Sequence, residues 1–500
     1  MKLPSLSSSA HIIALTLTVF AFAAPVCVAQ NTDKLYVRKN ASSAAAKADL
    51  DALNKAMGIM KGLGCDDPTS WYYQGGIHWV PDDASDGSTL GNGNALCSSY
   101  NGTMGQLKPA WDNCTHRDGI ELHFLIWHRL YIYYLEDLVR AKSGKADFAL
   151  PYWNYVDKTN AKMPAVFAKK QGNLFEPARC TVLNQGKPIE NKEYGPGRDL
   201  DITALMKNTL YSVFNSNMDA APHGAMHNYI GGATDGETFL NRIYQATQDD
   251  AGGVMSQVPS AAFDPIFWVH HAEIDYLWQQ WMNSPKGHKP SLAALKKAPL
   301  PYSFFDRNGQ PVTLTVDEAY KMAFSLPVTY DSMKTTTLAQ ARTTMDTKPE
   351  ESEAEPTEMA RSATPQVVKG KETSLSMKLE MKEGANERTS AQQRVVLDLT
   401  VSFTQEPKGT YHVYLESGSG KQASEKFIGH MTFFGAAVHA RHGTEKMEAG
   451  HKMTKKFHFD VTDYISPKTF KGDLQLKIRK DGDPKEKDEL TVEEQSITLH

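Results

Sequence analysis

Two adjacent histidines, His270 and His271, lie in the apolar segment DPIFWVHHAEIDYLWQQW, residues 264–281. Apolar positions recur there every three to four residues, which predicts a helix with His271 facing the interior. A buried imidazole needs a hydrogen-bond partner or a metal. For an isolated histidine, a bond to a backbone carbonyl is the commoner solution. A metal site therefore requires further histidines elsewhere in the chain.

A second pair, His223 and His227, stands four residues apart in the segment APHGAMHNYI. On a helix this spacing places both rings on one face, where they can bind the same metal ion. A zinc-protease motif has a glutamate directly after its first histidine, and this glutamate acts as the general base. Gly224 occupies that position here, so the pair lacks the base of that class of hydrolase.

Further histidines occur in two other segments: CTHRDGIELHFLIWHRLYIYYLEDLVR contains His116, His123 and His128, and YYQGGIHW contains His78. The apolar residues after His128 follow a helical period. No matching cluster of carboxylates accompanies these histidines, and cysteines are few, so the ligand set is all nitrogen. Such a set favours copper or zinc over magnesium or calcium, and copper if dioxygen is the substrate.

The histidine segments, in this order, resemble the type 3 copper family of tyrosinases, catechol oxidases and hemocyanins, and resemble polyphenol oxidases most. The similar segments lie within about residues 70–285 and read QGGIH, FLIWHRLYIYYLE, FALPYWNY, PHGAMH and DPIFWVHHAEIDYLW. The resemblance implies a mainly α catalytic domain in which a four-helix bundle holds a pair of copper ions. It also implies an oxidoreductase that acts on small phenols and dioxygen.

The resemblance also implies which histidines bind copper and which one supports them. His270 is the supporting neighbour of a ligand. The first copper would be held by His78, His116 and His128, and the second by His223, His227 and His271.

One of these ligands has a competitor. In the family, the second ligand of the first copper usually lies nine residues before the third, and Gly119 stands there in this chain. The candidates are therefore His116 and His123. The letters CTH resemble a fungal segment whose cysteine sulfur is joined covalently to the ligand histidine. This favours His116, predicts a thioether between Cys114 and His116, and leaves His123 as a nearby polar or structural residue.

Three other positions bear on the handling of phenols. The resemblance puts Asp219 where relatives have a glutamate that orients a water for deprotonating phenols, and Gly224 where some monophenol-active relatives have asparagine. Val258 stands where catechol oxidases often have a bulky phenylalanine, which implies an open entrance, although a valine there can equally serve packing. These residues imply oxidation of o-diphenols to o-quinones with reduction of dioxygen to water. Hydroxylation of monophenols stays open as a second activity.

A hemocyanin-like dioxygen carrier without turnover is the alternative, because it uses the same six histidines. The small Val258 in a single chain with a signal peptide favours the enzyme. A zinc hydrolase is a third interpretation. The formal net charge of −4 argues against a nucleic-acid partner.

The N-terminus indicates export from the cytoplasm. Lys2, an apolar run over about residues 11–24 and the small residues that follow predict a signal peptide, residues 1–29, cleaved after Ala29. The run is too short to cross a bilayer, so the mature protein is predicted to be secreted or periplasmic and free of membrane spans. Export permits disulfides among the remaining cysteines, which are Cys65, Cys97, Cys114 and Cys180.

The 500 residues exceed one typical core and predict more than one domain. Helical periodicity assigns residues 30–333 to the catalytic domain, whose last part, about 285–333, resembles the region that follows the core in plant polyphenol oxidases. Residues 334–372 have low apolar content and predict a flexible linker. Period-two alternation in residues 373–500 predicts a small β-sandwich or barrel.

The C-terminal β domain is predicted to act as a lid. Its segments KKFHFDVTDYI and FIGHMTFFG resemble the C-terminal domain of plant polyphenol oxidases, which covers the copper entrance. Copper delivery by the His- and Met-rich residues 429–453 is one rival. A purely stabilising role is the other.

Overall fold

The computed structural model describes residues 34–64, 66–78, 114–115, 119–189, 200–232, 253–256, 258–300, 302–333, 337, 339–340, 347–352, 355–383, 393–405, 407, 409–417, 424–436, 452–481 and 489–500. The predicted signal peptide, residues 1–29, lies outside these ranges. Within them, none of the helices has the length and apolar character needed to cross a membrane. Leu35–His500 forms one unit.

The first part of the chain is mainly helical, as predicted. Its helices are α1 (Lys47–Lys61), α2 (Trp71–His78), α3 (Phe124–Ser143), α4 (Thr181–Asn184), α5 (Tyr211–Met218), α6 (Ala225–Gly231), α7 (Val258–Ala261), α8 (Ile266–Asn283), α9 (Leu292–Lys297) and α10 (Val316–Ser325). A π-helical turn, Asp219–Gly224, joins α5 to α6. The short strands of this part are β1 (Tyr36–Arg38), β2 (Tyr302–Phe305), β3 (Pro311–Leu314) and β4 (Val328–Tyr330).

Helices α3 and α8 form the centre of the helical part. Both are buried on nearly every face, and the burial includes the charged residues that lie among their many apolar ones. Helix α3 stops at Gly144, whose φ of 79° is left-handed and whose N–H bonds to the carbonyl of Arg140. Glycine adopts this conformation without steric cost.

A buried charge network ties the two central helices to the N-terminal strand. Arg38 of β1 donates to Glu136 of α3 at 2.9 Å and to Asp275 of α8 at 2.7 Å. Arg129 of α3 also donates to Asp275. Removing one member leaves an unpaired buried charge, which costs about 3–5 kcal/mol. The network therefore holds α3 and α8, and the histidines they carry, in one relative position.

The region after α8 packs on the same core. Strand β4 pairs in parallel with β1, and β2 pairs with β3. Tyr302 and Phe304 of β2 are buried in the core cluster that also contains residues of α3 and α8. Helix α10 begins with a capping box in which Thr315 and Glu318 satisfy each other's backbone N–H groups.

The C-terminal part is a β-sandwich of two antiparallel sheets around one core. Its strands are β5 (Thr357–Ser362), β6 (Gln366–Val368), β7 (Glu372–Lys378), β8 (Glu380–Met381), β9 (Val395–Phe403), β10 (Thr410–Ser417), β11 (Ser424–Met431), β12 (Met453–Asp460), β13 (Asp473–Asp481) and β14 (Leu490–Leu499). One sheet has the order β11-β10-β13-β7, and the other has β12-β9-β14-β5-β8 with β6 also paired to β14. Alternating residues such as Leu397, Val413 and Leu476 point into the core, at 0% exposure. The predicted fold class, a mainly α domain followed by a small all-β domain, is confirmed.

The second half of the predicted linker, residues 334–372, contains strands in the structure. Strands β5 and β6 lie there, and β5 pairs with β14 while β6 pairs with another part of β14. Met359, Ala360 and Val368 supply the buried apolar side chains. These three residues do not alternate with polar ones, so they give no strand signal. The pairing partner is more than a hundred residues away, so the β-sandwich begins earlier than residue 373.

The β-sandwich contacts the helical part close to the histidine segments. Asp460 of β12 accepts hydrogen bonds from the N–H of Thr209 at 3.0 Å and from its hydroxyl at 2.7 Å. The hydroxyl of Thr432, just after β11, donates to the carbonyl of Ala220 at 2.8 Å. The bond from Thr432 to Ala220 places the segment just after β11 against the π-helical turn that carries His223.

Candidate metal centre

Buried histidines from five helical elements meet in the interior. Each is at most 2% exposed in the described part of the chain: His78 at the end of α2, His128 in α3, His223 and His227 in the π-helical turn and α6, and His270 and His271 in α8. They form two groups in which the possible ligand atoms lie within 4.8 Å of one another. The first group is His78, Cys114 and His128, and the second is His223, His227, His270 and His271.

Two of these rings are oriented by their own helices. Nδ1 of His128 lies 2.9 Å from the carbonyl oxygen of Phe124, and Nδ1 of His223 lies 3.2 Å from that of Asp219. Each carbonyl belongs to the residue four positions earlier. When Nδ1 donates to a carbonyl, the lone pair is on Nε2, and this is the tautomer that binds a metal through Nε2.

Two other rings take their acceptor from a distant segment. Nδ1 of His78 lies 3.1 Å from the carbonyl oxygen of Val258, and Nδ1 of His227 lies 2.8 Å from that of Met255. Both carbonyls therefore favour the same tautomer as in the other two histidines. In all four rings Nε2 is the atom that remains for a metal.

The adjacent histidines of α8 differ in how they are held. Nδ1 of His270 lies 3.0 Å from the hydroxyl of Tyr155, whereas neither ring nitrogen of His271 has a hydrogen-bond partner in the described structure. The His271 ring stacks on His128, with centroids 4.3 Å apart. An unsatisfied buried polar atom costs about 1–3 kcal/mol. A metal bound to His271 would remove that cost, so these residues fit the copper pair that the sequence implies.

The electrostatics of the second group favour neutral imidazoles. Burial lowers the pKa of His271 and of His270 well below the usual range, and the charge that a second histidine would carry lowers it further. Neutral imidazole is the form with a free lone pair for a metal. Glu273, which sequence reasoning did not single out, is also buried near this group. Its burial raises the pKa of the carboxyl well above the usual range.

The first group is described only in part, because His116 lies outside the described residues. Cys114, two residues earlier, has its Sγ 3.2 Å from Nε2 of His78 and 3.7 Å from Nε2 of His128. Cys114 therefore lies at the first metal site. His123 does not: its Nδ1 lies 2.7 Å from the hydroxyl of Tyr302 and its Nε2 lies 2.8 Å from a backbone carbonyl oxygen. This is the position expected of a structural histidine.

The thioether prediction is tested by intact mass. If Cys114 is joined to His116, the copper-loaded protein should lack the thiol hydrogen and one ring hydrogen, and dioxygen would accept them. Cys114→Ser should restore the full mass and keep both coppers. A thiolate that itself bound the first copper would instead make Cys114→Ser lose that copper with no mass change. Selective loss of the first copper in His123→Ala, with none in His116→Ala, would reverse the ligand assignment.

The structure places the three residues proposed to handle phenols at different points around the two metal groups. Asp219 has an Oδ1 3.1 Å from Nδ1 of His223, so the carboxylate contacts a predicted ligand. Val258 is fully buried, and its carbonyl holds His78. A Cβ on Gly224 would lie 2.8 Å from Oγ1 of Thr432. A glycine there therefore lets the β-sandwich approach the site.

One residue of the β-sandwich, Phe434, belongs to the site and was missed by sequence reasoning. Its ring stacks on His227, with centroids 4.2 Å apart and planes 18° apart, and meets His223 edge-on at 5.8 Å. Phe434 is 4% exposed and lies in the core of the helical part. Its neighbour Phe433 lies in the core of the β-sandwich. The signal in the sequence was this adjacent aromatic pair, whose side chains lie in two different cores.

Comparisons with known proteins agree with this site. A family model for the common central domain of tyrosinase matches residues 68–203 and 170–284. A tyrosinase of Hahella sp. (strain CCB-MM4) is 29% identical over 53% of this chain and 57% of the relative. The chloroplastic polyphenol oxidase E of Solanum lycopersicum is 25% identical over 40% of this chain and 37% of the relative. The chain thus spans less than two thirds of the length of these relatives.

Solved structures share the fold over nearly the whole chain. The structure of latent apple tyrosinase superposes with a TM-score of 0.59 at 17% identity, covering 94% of this chain and 98% of that one. Latent aurone synthase, a polyphenol oxidase from its natural source, gives a TM-score of 0.58 at 16% identity, covering 94% and 90%. At these identities the likeness concerns the fold, including the β-sandwich after the helical part.

Proposed function

Since the chain belongs to the type 3 copper family of tyrosinases and polyphenol oxidases, we propose that it oxidises o-diphenols to o-quinones and transfers the electrons to dioxygen, which becomes water. The observation that carries this proposal is the paired cluster of buried imidazoles with Nε2 turned inward. Each dioxygen takes up the electrons and protons of two diphenol molecules, so atoms and charge balance without another reductant.

The protein's own residues supply the geometry for this reaction. When bound, the copper pair provides the place for dioxygen and accepts electrons from the phenol. His78 and His128 with the predicted ligand His116 would hold one metal, and His223, His227 and His271 the other. The rings of His128 and His271 stack on each other, which keeps the two sites adjacent. Water is excluded because every described histidine of the cluster is buried.

The position of Phe434 indicates where a phenol would lie. Its phenyl ring stacks on His227 and touches His223, and a substrate ring could take the same place beside the second copper. Stacking of this kind contributes about 0.5–1.5 kcal/mol beyond area burial. Phe434 is thus an internal mimic of the substrate ring, and the β-sandwich that carries it is a lid. The solved enzymes of similar fold are described as latent, which supports this interpretation.

The substrate class is o-diphenols rather than monophenols in this proposal. The carboxylate of Asp219 contacts the ring of His223 instead of standing apart from the ligands. Gly224 provides no side-chain amide next to that ligand. These residues therefore provide little help in deprotonating a monophenol. An o-diphenol needs less help, because its first hydroxyl is more acidic than the hydroxyl of a monophenol. Export through the N-terminal apolar run is also part of the proposal and rests on the sequence of residues 1–29.

Oxygen uptake tests the proposed reaction. Copper-loaded protein with the lid displaced should consume dioxygen with 4-methylcatechol and form the coloured quinone, and it should act more slowly on tyramine. The matched control is His128→Ala, which removes a predicted ligand of the first copper and should show no uptake. Reversible dioxygen binding without quinone, even with the lid displaced, would instead establish the carrier. Zinc in the purified protein, with no dioxygen chemistry after copper loading, would support a hydrolase.

A further inference from the structure

One short segment of the chain orients a histidine of each metal group. This clamp segment consists of residues 253–256 and 258–261. The carbonyl of Met255 accepts from Nδ1 of His227 at 2.8 Å, and the carbonyl of Val258 accepts from Nδ1 of His78 at 3.1 Å. Met255 and Val258 are both fully buried. The other two rings with a carbonyl partner, by contrast, use their own helices.

We propose that the clamp segment is a positioning element shared by the two copper sites, so that a displacement of this segment weakens copper binding at both. The inference rests on the copper pair and not on the oxidation of phenols. A histidine ligand is held in its tautomer and orientation by the partner of its other nitrogen. Here the two partners are three residues apart on one piece of backbone, and they cannot shift independently.

The clamp segment is fixed at its start by backbone and side-chain hydrogen bonds. The N–H of Val254 donates to the carbonyl of Ala178 at 2.8 Å. The hydroxyl of Ser260 donates to the carbonyl of Val254 at 2.7 Å, which ties the end of the segment to its start. Ser260 is 1% exposed, so water does not replace this bond.

A buried ion pair fixes the end of the same segment. Arg179, next to Ala178, donates through both Nε and Nη2 to the carboxylate of Asp264, and both side chains are 0% exposed. The N–H of Asp264 in turn donates to the carbonyl of Ala261, the last residue of the clamp segment, at 3.1 Å. A bidentate arginine–carboxylate pair sets orientation as well as distance. The chain around residue 178 thus anchors both ends of the clamp segment.

Gly231 shows how closely the clamp segment lies against the helix of His227. Gly231 is the last residue of α6, and a Cβ there would lie 2.2 Å from the backbone nitrogen of Ser256. Real Cβ atoms do not approach backbone so closely, so any larger residue must push the clamp segment away. This displacement would move the carbonyls of Met255 and Val258 together.

The test measures copper affinity at each site separately. His128→Ala breaks the first site and His223→Ala breaks the second, and neither residue contacts the clamp segment through Nδ1. Ser260→Ala is then added to each protein, and copper(I) affinity of the remaining site is measured by competition with a coloured chelator. We expect a loss of about 10–100-fold in both proteins, as for other residues that orient metal ligands. Gly231→Ala should give a larger loss in both.

The control is Ser291→Ala, because Ser291 is also buried and also loses one hydrogen bond, to Ala294 at the start of α9. Ser291→Ala should leave the copper affinity of both sites unchanged. It should lower the midpoint of unfolding about as much as Ser260→Ala does. A loss confined to one of the two proteins, or a loss no larger than that of Ser291→Ala, would overturn the shared role. Because no phenol is present, the result is independent of whether the protein is an oxidase.

Discussion

His271→Ala should lose the second copper and all measurable phenol oxidation. The side chain is 1% exposed, both of its ring nitrogens lack hydrogen-bond partners in the described structure, and its ring stacks on His128 of the other group. Nothing in the described part of the protein satisfies these nitrogens, which makes a metal their natural partner. Metal analysis after copper loading should show half the copper of the parent protein, and oxygen uptake with 4-methylcatechol should fall below detection.

His270→Ala is the matched comparison because it changes the adjacent residue on the same helix. His270 is tethered by the hydroxyl of Tyr155 at 3.0 Å, so its ring has an anchor in the protein that the ring of His271 lacks. Its loss should leave the copper content unchanged and lower the rate by about 10–100-fold, as for residues that support ligands. Tyr155→Phe should also lower the rate, by a smaller factor. Copper loss in His270→Ala but not in His271→Ala would exchange the two roles.

On the proposal that the β-sandwich is a lid, Phe434→Ala should raise the rate of phenol oxidation without changing the copper content. The ring of Phe434 covers His227 at a centroid distance of 4.2 Å and is almost fully buried, so removing it both opens the place above the ligand and weakens the hold of the lid. When the closed state dominates, removing about 1.4 kcal/mol of the free energy that stabilises it raises the open fraction roughly tenfold. Initial rates with 4-methylcatechol at equal copper loading measure this increase.

The control for Phe434→Ala is Phe470→Ala, which removes a partly buried ring from the β-sandwich core away from the metal centre. If lid opening merely followed from a less stable β-sandwich, both variants would activate the enzyme equally. Cutting the chain before β5 should activate at least as much as Phe434→Ala, because it releases the whole sandwich. Equal turnover of the parent, Phe434→Ala and cut proteins would show that the sandwich is not a lid. Poor copper loading after cutting would favour copper delivery.

The helices of the metal centre were predictable because their signal is local. Helix α8 has apolar residues at helical spacing around His271, and α3 has the same pattern after His128. The strands β9, β10 and β13 were predictable for the same reason, since their alternate side chains fill the sandwich core. Strands β5 and β6 were not, because their own residues carry little apolar pattern and β14, their partner, is far away in the chain.

The sequence predicted that histidines form the site, but it did not show which role each histidine has. The type of residue and the spacing of His223 and His227 already indicated a shared metal. Both histidines of α8 nevertheless lie in the second group, because adjacent helical positions at a crowded centre can both reach it. His123, the rival candidate for a ligand, instead forms a hydrogen bond with the hydroxyl of Tyr302. That contact joins residues 179 positions apart, and no local pattern reports it.

The sequence by itself determined the residue types that could bind metal, the helical periodicity of the segments around His128 and His271 and the resemblance to the type 3 copper family, since all of these depend on side-chain chemistry and short-range periodicity. Only the tertiary structure decided which carbonyl orients His78 and His227, which hydroxyl holds His270 and which side chain covers the site. Phe434 reaches His227 across 207 positions, as their numbers give. Such contacts form when separate elements pack, and packing depends on the whole core rather than on any one segment.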